Sequence, residues 1–102
     1  MSFNTQDKND IKRELVASLC QEREIVKIVI FGSFLDSADP HDLDVAVFQT
    51  SDQPYLPLAL KYRSKTRKIA NRIPLDILPI KANAQNSVML ESLNQGEVVY
   101  ER

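Results

Sequence analysis

The sequence is poor in several features, and each shortage excludes a class of explanation. It has a single cysteine in 102 residues, Cys20, so no intrachain disulfide framework exists. Cys20 reads as a small buried apolar residue on a helix. Tryptophan is absent and aromatic residues reach only 7%, too few for a platform on which single-stranded nucleic acid could stack. Neither sign of charge dominates: 13 basic and 14 acidic residues leave a net charge of −1, so no global positive field collects nucleic acid. No apolar run is long enough to cross a bilayer, and no basic-then-apolar leader opens the chain. The expectation is a soluble, cytoplasmic protein. No repeat, linker or low-complexity tract appears, so residues 1–102 read as one domain. With 43% hydrophobic and 26% charged residues the composition is that of an ordinary globular chain. A core this small favours further stabilisation by a homo- or hetero-oligomer.

Periodicity supplies the elements. Ile11, Leu15 and Leu19 recur every four residues with Val16 beside them, which predicts a helix over about Asp7–Glu22 capped by Asn4 or Thr5. The run IVKIVIF, Ile25–Phe31, is rich in β-branched residues and reads as a buried strand ending at Gly32-Ser33. Phe34–His41 is turn-like. DLDVAVF, Asp42–Phe48, reads as a second strand, and Tyr55 to about Arg72 as one long basic helix. PLDILPI, Pro74–Ile80, reads as a third strand whose prolines suit a short or edge position. A last helix over about Gln85–Asn94, closed by Gly96, and a short strand EVVYE complete the chain. The order predicts an α+β fold, with a small mixed four-stranded sheet and helices mainly on one face.

Three features carry chemistry. Gly32 directly follows an apolar strand, where glycine permits a sharp turn and close approach of a ligand. Ser33 adds a hydroxyl and a backbone N–H suited to phosphate oxygens, although Gly-Ser after a strand is usually only a turn. Asp42 and Asp44 are two apart in the expected strand and therefore share a face. Adjacent carboxylates raise one another's proton affinity, and a divalent cation relieves this. Mg²⁺ is the natural candidate, held by one or two carboxylates together with substrate phosphates. The plainer alternative is a strand that starts at a solvated end. Asp76 lies inside an apolar strand, where an unpaired charge is costly to bury. Its plainer alternative is an edge aspartate facing water or pairing with Arg72.

The run VKIVIFGSFLDSADPHDLDVAVF, followed by PLDILPI, resembles the DNA polymerase beta nucleotidyltransferase superfamily, and within it the minimal nucleotidyltransferases. The shared pattern is Gly-Ser, a spacer, Asp-x-Asp, and a later Asp on a neighbouring strand, and the likeness covers roughly Ile25–Arg102. The resemblance implies an enzyme that moves a nucleoside monophosphate, AMP from ATP, to a hydroxyl. It implies that Gly32 and Ser33 hold the β/γ-phosphates of the nucleoside triphosphate. Asp42 and Asp44 would ligate two Mg²⁺ ions, and Asp76 would ligate the catalytic ion and help activate the attacking hydroxyl. It further implies pairing with a helical HEPN-type protein, in which the nucleotidyltransferase is the antitoxin. The acceptor would be that partner or a small molecule.

The loop departs from the family's habit of following Gly-Ser with basic residues and a second glycine. Phe34, Asp36 and Ser37 stand there instead. A carboxylate beside a triphosphate costs on the order of 1 kcal/mol even in water. The competing reading is therefore a catalytically weakened nucleotide- or partner-binding module that keeps the fold. His41, beside Asp42, reads as a loop histidine. Lys61, Lys65, Lys68 and Arg72 would share one helix face, either solvated or a landing surface for phosphates or an acidic partner.

Overall fold

The structure is a computed structural model that describes residues 3–83 and 96–102. The first helix, α1, spans Thr5–Leu19. Asn4 caps it through a reciprocal box: its side chain accepts from the Asp7 N–H at 2.7 Å, and the Asp7 carboxylate accepts from the Asn4 N–H at 3.2 Å. Ile11, Leu15 and Leu19 form its buried stripe. Strand β1, Ile25–Phe31, coincides with the predicted run.

The stretch after Gly32 differs from expectation. Ser33–Asp36 forms a single helical turn, α2, because Phe34 turns inward and is fully buried. Strand β2 is Leu43–Gln49, so Asp42 stands just before it rather than within it. The long basic helix is also broken. Helix α3, Tyr55–Lys65, stops at Thr66, and a further turn, α4, covers Arg67–Ala70. Thr66 is buried, and its hydroxyl donates to the Tyr62 carbonyl at 2.8 Å, competing with the helical backbone pattern. Strands β3, Leu75–Lys81, and β4, Glu97–Glu101, complete the sheet. The helix expected over Gln85–Asn94 lies outside the described residues.

The sheet order is β3-β2-β1-β4. β1 pairs antiparallel with both β2 and β4, while β2 and β3 run parallel. Pro79 sits in the edge strand β3, the one place where a missing N–H is tolerated. Alternation divides the sheet into two faces. Ile28, Ile30, Val45, Val47 and Ile77 join the buried residues of α1, Phe34 of α2, Leu58 and Tyr62 of α3, and Ile69 of α4 in one core. Val29, Ala46 and Ile80, with Phe31, Phe48 and Leu78, form a smaller cluster to which no described helix contributes. The fold is thus α+β, with helices mainly on one face of a mixed four-stranded sheet. No helix among the described residues is long and apolar enough to cross a membrane.

Candidate active site

Parity along β2 and β3 decides which face carries the acids. Asp44 and Asp76 are two residues before Ala46 and Leu78, so both belong to the face without described helices. The parallel register pairs Leu43 with Leu75, Asp44 with Asp76 and Val45 with Ile77. The two aspartates are therefore nearest neighbours on one face. On the other side of β2, Asp44 is in register with Phe31, the last residue of β1. Three strands thus bring together the end of β1, the start of β2 and the start of β3.

Gly32 follows β1 with φ of +85°, in the region that disfavours any side chain. A Cβ placed there would meet Asp44 Oδ2 at 2.6 Å, closer than real contacts allow. Glycine is required twice over, by the turn and by the carboxylate against it. Ser33, exposed, opens α2, and the N–H groups at the start of such a turn have no acceptor within it. Gly32 therefore lies against the Asp44 side chain, with Ser33 next to it in the chain.

Burial, and then the negative charges of Asp42 and Asp76, push the Asp44 carboxyl above its usual range. Asp42 thus acts on Asp44 although it lies outside the strand, and Asp36 is not among the charges that raise Asp44. Asp76 is exposed at the sheet edge, as its plainer reading has it, rather than buried among apolar neighbours. No ion pair joins it to Arg72 among the described residues. Among those residues, no group of three acidic, histidine or cysteine side chains is already drawn together as a metal cage. The candidate site is a set of carboxylate oxygens at the starts of β2 and β3, with Asp44 partly withdrawn from solvent.

A family model described as "Polymerase beta, Nucleotidyltransferase" matches residues 13–102. The chain belongs to that family. The chain is also similar in fold to solved toxin–antitoxin structures. One is a tri-AMPylated Shewanella oneidensis HEPN toxin in complex with its MNT antitoxin: 16% identity, TM-score 0.68, covering 93% of this chain and 73% of that one. A second is the MntA–HepT toxin–antitoxin: 16% identity, TM-score 0.65, covering 92% and 73%. A third is a variant of that pair with two aspartates replaced by glutamate: 17% identity, TM-score 0.62, covering 93% and 73%. No curated protein matches the chain in sequence.

Two features of the site had little signal in the sequence. One is the contact between Gly32 and the Asp44 side chain, which depends on strand register. The other is Lys8, whose Nζ donates to the Ser37 carbonyl at 2.6 Å across 29 positions of sequence. A third expectation changes. Lys61 pairs with Glu24 at 2.6 Å and Glu22 at 3.2 Å, and Lys65 pairs with Glu22 at 2.8 Å. These acids precede β1 and Gly32 follows it, so the two lysines are anchored about 20 Å from the turn. They do not stand in for basic residues missing from the loop.

Proposed function

We propose that this family member is a Mg²⁺-dependent nucleotidyltransferase that moves AMP from ATP to a hydroxyl. The acceptor is a partner protein or a small molecule, and the protein acts as the antitoxin of a pair with a helical HEPN-type protein. The observation that carries the reading is the register of Asp44 with Asp76 beside a glycine whose missing side chain leaves room for Asp44. The residues fit a divalent cation. They are carboxylate oxygens, their crowding is unfavourable without a positive charge, and one is already partly desolvated. Asp42 and Asp44 would hold two Mg²⁺ ions, with Asp76 on the catalytic one, and triphosphate oxygens would complete the coordination that the protein leaves open. When bound, the ions would neutralise charge on the transferring phosphoryl group.

The chain's own residues then have defined tasks. Gly32 and the N–H and hydroxyl groups of Ser33 bind the β/γ-phosphates. Asp76, exposed, accepts the proton of the incoming hydroxyl as its oxygen forms a bond to the α-phosphorus, and the bond to the β-phosphate oxygen breaks to release pyrophosphate. The family of the chain and the antitoxin neighbours of the same fold support this reading.

Calorimetric titration of Mg²⁺-ATP into wild type and Asp44→Asn tests the site. Saturable binding that the variant loses supports it, and equal binding by both rejects it. Transfer of labelled AMP to a HEPN-type partner tests the reaction. The loop favours one second reading. Phe34 is spent on the core, so the turn offers phosphate no basic side chain of its own. A binding module without transfer would hold partner and nucleotide but move no label.

A further inference from the structure

The turn after Gly32 is held by a segment distant in sequence. Lys8 stands in the first turns of α1, and its half-buried side chain reaches α2. Its Nζ donates to the Ser37 backbone carbonyl at 2.6 Å and lies 5.5 Å from the centroid of the Phe34 ring. That geometry joins a charge-assisted hydrogen bond to a cation–π contact on the residue that anchors the turn in the core. Beside it, the Phe3 N–H donates to the Ala38 carbonyl at 2.9 Å, and the Phe3 ring is buried in the same core. Lys8 is itself fixed, because the Asn4–Asp7 box sets the start of α1. The path runs from a capping box, to a placed lysine, to the turn that follows Gly32.

We propose that Lys8 is the positioning residue of the nucleotide site. It holds the Gly32–Ser37 turn in the conformation that keeps Gly32 against Asp44. It also places a positive charge beneath a turn whose own sequence, GSFLDS, contains no basic residue. Lys8 does not touch the reacting atoms; it acts through Phe34 and the Ser37 carbonyl. The proposal rests on reading Gly32-Ser33 as the triphosphate-binding turn.

The test compares wild type, Lys8→Met and Lys8→Arg by three measurements: affinity for Mg²⁺-ATP, affinity for Mn²⁺ alone, and amide hydrogen exchange without nucleotide. Lys8→Met should weaken Mg²⁺-ATP binding about tenfold, the scale of one charge-assisted hydrogen bond. Mn²⁺ affinity should be unchanged, and the Leu35 and Ser37 amides should exchange faster while those of β1 and β2 keep their protection. Lys8→Arg should restore nucleotide affinity to within about threefold, since it keeps the charge and a donor. Unchanged exchange in the turn, or nucleotide affinity equal to wild type, overturns the proposal. So does parallel loss of Mn²⁺ binding and strand protection, which is the mark of general destabilisation. If Lys8→Met does not fold, Lys8→Gln replaces it under the same criteria. If wild type itself binds no Mg²⁺-ATP, the affinity criterion does not apply: the nucleotide reading fails, and faster turn exchange in the variant then supports only the structural half of the proposal, that Lys8 holds the turn.

Discussion

The two ends of β1 treat charge in opposite ways. Before the strand, Glu22 and Glu24 meet Lys61 and Lys65 in a network with every ion partnered, and Tyr62, buried beneath, directs its hydroxyl toward Glu24 at 3.5 Å. Hydrogen bonding to Lys65 holds Glu22 below the ordinary carboxylate range, despite some opposing desolvation. After the strand, Gly32 faces Asp44, which is pushed upward by burial and by two further acids. At one end opposite charges are paired; at the other, acids raise one another's proton affinity, the kind of perturbation on which the proposed nucleotide site rests.

The sharpest way to break the contrast is Gly32→Val. The side chain would meet Asp44 and adopt an unfavourable φ, so stability should fall by about 2–3 kcal/mol in urea unfolding, with Mg²⁺-ATP binding lost. At the paired end, Lys61→Met removes the partner of two acids without touching the proposed nucleotide site. It should cost about 1 kcal/mol of stability and leave Mg²⁺-ATP affinity within error of wild type, read by calorimetry. Asp44→Asn should do the reverse. It should abolish the proposed nucleotide binding yet raise the melting temperature at neutral pH by on the order of 2 °C, since it removes a desolvated, repelled charge. A fall in melting temperature would mean that Asp44 is structurally required.

The smallest effect is the most diagnostic. Asp44 has a folded pKa above its ordinary 3.8, so its ionisation opposes folding. Its favourable contribution is fully present below that value and is lost as pH rises through the folded pKa. Glu22, lowered from 4.5, behaves oppositely: its contribution is present above 4.5 and is lost as pH falls through the folded pKa. Urea unfolding across acid pH should therefore show the gain of Asp44→Asn growing with pH, and the loss in Glu22→Gln growing with pH as well. If either difference is flat through the carboxylate range, that end of the strand does not have the electrostatics described.

Much of this was legible in the residues. The β1 run, the stripe of α1 and the edge placement of the proline-bearing β3 follow from side-chain shape and period, which act locally. The three acids and the Gly-Ser of the candidate site stood out as residue types and spacing. Three details were not. Asp42 falls outside β2, because the parallel ladder begins with the Leu43 N–H donating to the Pro74 carbonyl. The basic helix breaks because Thr66 is buried and bonds back to Tyr62, which no charge pattern reveals. Phe34 looked like a lost phosphate contact, and is a core residue that turns Ser33–Asp36 into a helix.

By itself the sequence determined the family, the strand and helix alternation, and the chemical type of each candidate group, because those depend on residue identity and short-range period. Only the tertiary structure decided that Asp44 stands beside Asp76, that Gly32 must lack a side chain, that Lys61 and Lys65 serve the far end, and that Lys8 grips the turn. Those facts depend on register and on contacts between distant segments, and a shift of one residue in β3 would turn Asp76 to the opposite face.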